Sequence, residues 1–268
     1  MDNDRPTGIP LRHTEPTEIP GIAFLQTDDG SWSLRDEGLK ETYHSGCGAA
    51  SETWHVYVLN SGVLPRLHGG RHVRLLEVGF GTGMGWLMSA TAAGILGGTL
   101  DYLGLERRIL PRSIYQRCTE IPWTHLKQLP DSASRFTEVS EFLRHQWLDQ
   151  DSADMDCCPG AIVELNIDPS IGRSGLLIGD AIQWQPGPER WDVIYLDAFS
   201  PASNPELWEE MFLKKLVDHL AEDGVLVTYC VNRQIRDCMQ RLGLQVERLP
   251  GPPGGKREVL RATVARAP

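Results

Sequence analysis

The chain of 268 residues has no uninterrupted apolar run approaching the length, about 18 residues, that a membrane-crossing helix needs. Its first twenty residues, MDNDRPTGIPLRHTEPTEIP, are polar and proline-rich and hold no apolar leader core. Cysteine is sparse: residues 47, 118, 157, 158, 230 and 238 show no C-x-x-C spacing. That argues against a zinc site and a disulfide framework, so the six read as free thiols and no metal is expected. There is no internal repeat, and no low-complexity tract beyond GPPGG. These absences leave a soluble, cytoplasmic protein as the expectation. What is present fits it: with 41% hydrophobic residues the chain has enough apolar surface for one sizeable core.

A net charge of −10 argues at first against a nucleic-acid partner. The distribution qualifies this. From Tyr229 to Pro268, eight basic residues stand against three acids, a local charge of +5 against −15 for the remainder. Such asymmetry suits either an anion-binding face on an acidic body or a basic flank that balances acids elsewhere in the fold.

Along the chain, residues 1–29 read as a flexible lead-in and residues 30–70 as a small extension: a short strand pair in SWSLRDEGLKETYHS, then a helix capped by Ser51. Strands and helices then alternate. VRLLEVGF (73–80), a helix from about Gly83, DYLGLE (101–106) and a helix from Pro111 imply a right-handed crossover and a parallel sheet. SASRFTEVSEFLRHQWL predicts another helix; AIVELNID and GLLIGDA predict neighbouring strands joined by a turn. WDVIYLDAF, a helix over 205–220, GVLVTYC and a helix over 232–243 continue the alternation. LQVERL and REVLRATVA, joined by the turn PGPPGGK without a helix, must pair antiparallel. The fold class expected is α/β, a Rossmann-like, mostly parallel sheet ending in an antiparallel pair, with residues 30–268 as a single domain.

The densest local signal is EVGFGTGMG, residues 77–85. Gly79, Gly81 and Gly83 let backbone turn tightly and approach a ligand, with Phe80 and Thr82 between them and a helix amino terminus behind. A dinucleotide fingerprint would put a third glycine where Met84 stands, so the loop favours S-adenosylmethionine over a nicotinamide dinucleotide. A turn that merely packs a helix on a strand is the alternative. Glu77 precedes the loop. Glu106 closes the second strand at the spacing expected of a ribose-binding acid, and Asp180, followed by Ala181, closes the third, where adenine would lie. Asp197 closes the fourth strand, next to the first, and should face the transferable group; Pro201 and Pro205 stiffen the loop that follows it.

At this point YHSGCGAASETWHVYV (43–58), LLEVGFGTGMGWL (75–87), LDAFSPASNPELW (196–208) and PGPPGGKREVLRA (250–262) resemble the methyltransferase of the MnmC/MnmD family, in the same order over about Gly30 to Ala262. The resemblance implies a class I S-adenosylmethionine-dependent fold. It also implies methylation of 5-aminomethyluridine, often 2-thiolated, at the tRNA wobble position, with a separate enzyme supplying the aminomethyl group. In some relatives this domain is fused to a flavin oxidoreductase; no flavin is expected in the residues read here. Asp197 is then the catalytic candidate. Tyr43, Phe199, Pro201, Asn204 and Tyr229 are candidates for contacting the base in the anticodon loop, and Lys256 and Arg257, with Arg233 and Arg236, for phosphates. Trp208 is a further aromatic candidate, and His44, His55 and Glu52 could line the same mouth. Two positions depart from the family pattern: D-G-F-A-P stands here as Asp197-Ala198-Phe199-Ser200-Pro201, and the methionine of G-R-K-R-E-M is Val259.

Overall fold

The computed structural model describes residues 12–125, 133–148, 160, 162–165 and 168–264. An antiparallel four-stranded sheet comes first: β1 (Thr14–Pro16), β2 (Ile22–Gln26), β3 (Trp32–Asp36) and β4 (Glu41–Thr42), paired in that order. Ordered strands therefore begin at Thr14, inside the stretch the sequence marks as a flexible lead-in. The physical reason is burial: Ile22, Phe24 and Leu25 enter the core, which the polar and proline-rich composition around them hides.

Helix α1 (Ala49–Glu52) runs directly into a π-helical segment, Thr53–Leu59. Its cap is not Ser51. Gly48 precedes the helix, and its free N–H groups are taken by side chains of the β2–β3 turn: Thr27 accepts from Ala49, Ser31 from Ala50, and Asp29 from both the amide and hydroxyl of Ser51. A Cβ at Gly48 would stand 2.6 Å from Asp29 Oδ2, so this cap requires glycine. The small sheet is thereby fastened to the helix that follows it. Helix α2 (Val63–Leu67) then leads into the main sheet.

The elements that follow are β5 (His72–Val78), α3 (Met84–Leu96), β6 (Thr99–Glu106), α4 (Arg112–Cys118), α5 (Ala133–Leu148), β7 (Ile162–Glu164), β8 (Ser174–Ile178), β9 (Trp191–Leu196), α6 (Glu210–Val217), β10 (Leu220–Thr228), α7 (Arg233–Arg241), β11 (Leu244–Pro250) and β12 (Glu258–Val264). Among the described residues the sheet runs β11-β12-β10-β9-β5-β6-β8-β7. The five strands from β10 to β8 are parallel; at one edge β12 pairs antiparallel with both β10 and β11, as the helix-free β11–β12 connection requires, and β7 pairs antiparallel with β8 at the other. This is a class I S-adenosylmethionine-dependent methyltransferase fold with a mixed central sheet and an antiparallel amino-terminal extension.

Side-chain alternation divides the core into two layers. Val73 and Leu75, Val193 and Tyr195, Val225 and Val227 face the layer holding α3, α4 and α5; Leu76 and Val78, Ile194 and Leu196, and Leu226 face α6 and α7. Helix α3 has ten consecutive buried residues, Met84 to Ala93, because it lies between the sheet and a second helical layer formed by α2, α5 and the π-helical segment. The helix expected over 205–220 is broken: Pro205–Trp208 forms a 3₁₀ turn, Glu209 is extended, and α6 starts at Glu210. The indole N–H of Trp208 donates to the carbonyl of Phe199 at 2.8 Å, which fixes the turn against the preceding loop. Cys47, Cys118, Cys230 and Cys238 are free thiols. Cys157 and Cys158, and residues 1–11 of the lead-in, lie outside the described residues. No helix among the described residues is long and apolar enough to cross a membrane.

Candidate active site

A cleft of about 1240 Å³ opens where β5, β6, β8, β9 and β10 end. Residues Gly79 to Thr82 form one wall. The Gly79 amide donates to the Leu105 carbonyl at 2.9 Å, and the Asp197 amide to the Val78 carbonyl at 2.9 Å, so backbone bonds stitch the start of the loop to both neighbouring strands. Gly79 has φ of 91°, and a Cβ there would lie 2.7 Å from the Asp197 carbonyl oxygen; only glycine allows this approach. Phe80 also lines the cleft while packing on Tyr115 and Trp147.

The acids expected along the rim separate into two groups. Glu106, Asp180 and Asp197 line the cleft. One Glu106 oxygen accepts from the Gly81 amide at 2.9 Å and the other from the Arg108 amide at 3.1 Å, with burial raising its pKa and these bonds opposing the rise. A carboxylate has about four acceptor positions, so these amides leave room for a ligand's hydroxyl. Asp180 is exposed, caps the turn containing Ala181 by accepting from the Ile182 amide at 3.0 Å, and shares the lining with Ala181. Glu77 does not reach the cleft. Strand parity sets it on the face of Val73 and Leu75, where it is buried, accepts from the Tyr102 hydroxyl and lies under Gly85 of α3. Burial pushes its pKa up to about 8. Gly83 likewise sits behind the wall, preceding α3 with φ of 78°.

The other wall gathers residues from distant elements. Asp197 Oδ1 accepts from the hydroxyl of Tyr57, which is 1% exposed in the π-helical segment. Burial raises the Asp197 pKa well above the usual carboxylate range; Glu77 and Glu52 add to the rise, while the Tyr57 hydrogen bond and Lys256 oppose it. Glu52 lines the cleft, accepts from the Ser45 amide at 2.6 Å, and is also pushed up by burial. Lys256 is exposed as a residue, yet its Nζ lies 3.5 Å from the ring centre of Tyr229, and partial burial there lowers its pKa. The Tyr229 hydroxyl donates to the Ala198 carbonyl at 2.9 Å. Tyr43 packs edge-on against Phe199 at 5.0 Å. Both line the cleft, with Asn204.

Glu41 of β4 clamps the loop after Asp197 by accepting from the Ser200 amide at 3.2 Å and from the hydroxyls of Ser200 and Ser203. Burial raises its pKa, but those hydrogen bonds outweigh it and the net shift is downward. His44 lines the cleft as a neutral imidazole, its pKa pushed down to about 4 by burial and its Nδ1 2.9 Å from Ser33 Oγ.

Several candidates lie elsewhere. Pro201, Arg257, Arg233 and Arg236 are not in the lining, Trp208 is core, and His55 meets the Pro250 carbonyl at 2.8 Å instead. Tyr57 and Glu41 are the residues that motif reading misses. Tyr57 lies within YHSGCGAASETWHVYV, whose alternation of small and polar residues marks a site without marking which side chain serves it.

The donor set suits S-adenosylmethionine. Thr82 Oγ1 is buried beside the cleft with no hydrogen-bond partner among the described residues, where a ligand's polar group would satisfy it. Glu106 and Asp180 bring to the lining carboxylate acceptors of the kind that ribose hydroxyls and an adenine amine can donate to. Residues 137–265 match the model of a family of S-adenosyl-L-methionine-dependent methyltransferases. MNMC2 from Aquifex aeolicus superposes with a TM-score of 0.68 at 25% identity, covering 94% of this chain and 72% of that one. Over most of its length the chain is similar to the methyltransferase domains of the MnmC/MnmD family.

Other MnmC relatives agree. The tRNA 5-methylaminomethyl-2-thiouridine biosynthesis bifunctional protein MnmC of Azoarcus sp. (strain BH72) is 28% identical over 224 residues, 82% of this chain and 32% of that protein. The protein of the same name from Methylibium petroleiphilum is 29% identical over 229 residues, 84% of this chain and 32% of that protein. The chain thus spans about a third of the length of the curated MnmC relatives it matches.

Proposed function

We propose that this methyltransferase domain methylates the exocyclic amine of 5-aminomethyluridine, with or without a 2-thio group, at the wobble position of tRNA, giving 5-methylaminomethyluridine. The observation that carries the reading is the place of Asp197: its backbone carbonyl abuts Gly79 of the cofactor wall, and the residue lines a cleft flanked by Tyr43, Phe199 and Tyr229. Bound S-adenosylmethionine supplies an electrophilic methyl group on a sulfonium sulfur. Gly79, Phe80, Gly81 and Thr82, with Glu106, Asp180 and Ala181, hold it.

The rest falls to the chain's own side chains. An alkyl amine has a pKa of about 10, so at pH 7 its neutral form costs about 4 to 5 kcal/mol. Asp197 accepts a hydrogen bond from the amine, aims its lone pair and takes or relays its proton. Lys256, close by, holds positive charge next to the acceptor and disfavours the amine's ammonium form. Tyr43, Phe199 and Tyr229 offer aromatic faces or edges to an unstacked base, with Asn204 for its polar edge. Arg257, outside the cleft, is left for phosphate.

The same reading has a cytoplasmic enzyme acting on tRNA whose aminomethyl group another enzyme has made, with no metal or flavin in these residues. The test is incubation with labelled S-adenosylmethionine and three acceptors: tRNA bearing 5-aminomethyluridine, unmodified tRNA, and the free nucleoside. Label is expected as 5-methylaminomethyluridine in the first alone. Efficient labelling of the free amine would instead support a small-molecule amine methyltransferase, and label at another nucleoside would overturn the wobble assignment.

A further inference from the structure

We infer that Tyr57 is the positioning residue of Asp197: its hydroxyl holds Oδ1 and thereby presents Oδ2 to the acceptor nitrogen. Among the described residues Tyr57 is the one hydrogen-bond partner of the Asp197 side chain. Without it the carboxylate is free to rotate about its last torsion, and the oxygen that meets the acceptor is unspecified. The identity of that acceptor as an amine rests on the function proposed above; the pairing itself does not.

The local backbone explains how Tyr57 reaches this place. At 100° per residue, an α-helix would set Glu52 and Tyr57, five positions apart, on faces about 140° from each other. The segment Thr53–Leu59 is π-helical, closing i to i+5, as the Asn60 amide does on the His55 carbonyl at 3.2 Å. That closure brings residues five apart round to one side. Glu52 lines the cleft and Tyr57 meets Asp197 at its base. The Tyr57 ring is fixed from behind by Tyr195, 5.2 Å between centres, and the Tyr195 hydroxyl lies 3.1 Å from Ser89 Oγ. Burial keeps Tyr57 protonated, so it stays a donor.

The ionisable groups around Asp197 are Tyr57, Glu52 of α1, Glu77 of β5, Tyr229 beyond β10, and Lys256 before β12. Glu52 and Glu77 favour its neutral form; Tyr57 and Lys256 favour the charged one. Tyr57→Phe keeps the ring and removes the donor. In the whole chain it should move the acid limb of the kcat/KM profile upward by about one pH unit. It should lower kcat about tenfold or more, with S-adenosylmethionine affinity unchanged, and add nothing further in an Asp197→Asn background. An infrared titration of the Asp197 carboxyl, identified by its loss in Asp197→Asn, reads the same shift without any acceptor. It therefore separates this inference from the choice of substrate.

If Tyr57→Phe does not fold, 3-fluorotyrosine at position 57, a stronger donor of nearly the same shape, should move the carboxyl titration downward. An Asp197 titration that ignores both replacements, or equal losses from Tyr57→Phe with and without Asp197, overturns the proposal.

Discussion

On one side of the cleft, four consecutive residues, Gly79 to Thr82, follow Val78, which bonds the strand end at Asp197, and are held to β6 by the Gly79 amide and by the Glu106 carboxylate under Gly81. On the other, Tyr57 meets Asp197, Glu41 meets Ser200 and Lys256 meets Tyr229, each pair joining distant parts of the chain by a side-chain hydrogen bond or a cation–ring contact. The first wall depends on conformations that glycine alone adopts easily and tolerates change at most side chains around it. The second depends on each partner being present, because a buried donor or acceptor left alone costs about 1 to 3 kcal/mol. The cofactor wall should therefore fail all at once, and the acceptor wall piece by piece.

The largest break in this contrast is Gly79→Val. A branched side chain at φ of 91°, with its Cβ 2.7 Å from the Asp197 carbonyl, should lower stability by about 2 to 4 kcal/mol in chemical denaturation and abolish S-adenosylmethionine binding in calorimetry. Glu41→Ala comes next and touches only the acceptor wall. Releasing Ser200 and Ser203 should raise the acceptor KM about tenfold while cofactor affinity holds.

Glu77 tests the cofactor wall from beneath. Its pKa in the fold, about 8, exceeds its ordinary 4.5, so its neutral form is the one the fold favours. That contribution is complete below pH 4.5 and is lost as pH rises toward 8. Glu77→Gln, which still accepts from Tyr102, should flatten the decline of melting temperature across that window. The smallest expected effect is on salt dependence. Lys256→Met should lower turnover a few-fold yet change the salt slope of tRNA binding by less than about one, as fits a lysine inside the cleft.

Local pattern made one wall, and Asp197 of the other, readable from sequence. The glycine loop, the strand-end acids Glu106 and Asp180, and Asp197 follow from consecutive residues and strand order, and the antiparallel finish follows from a connection without a helix. Glu77 shows where that reasoning needs parity as well as position: one residue before the strand's end, it turns inward. The partners of the acceptor wall are 140 residues apart for Tyr57 and Asp197 and 159 for Glu41 and Ser200, and no local spacing encodes such contacts. The π-helical closure defeats the 3.6-residue period by which a helix face is read. The first two strands were hidden because the apolar run Ile22 to Leu25, coming just after the polar, proline-rich start of the chain, is too short a pattern to stand out.

Asp197→Asn, measured for both turnover and cofactor affinity on aminomethyl-bearing tRNA, addresses the division of labour most directly. The expected result is a fall in kcat of about 10²- to 10⁴-fold with the S-adenosylmethionine Kd unchanged within threefold or so. Turnover close to that of the unaltered protein, or a loss of cofactor binding that accounts for the whole fall, would contradict the role assigned to this carboxylate.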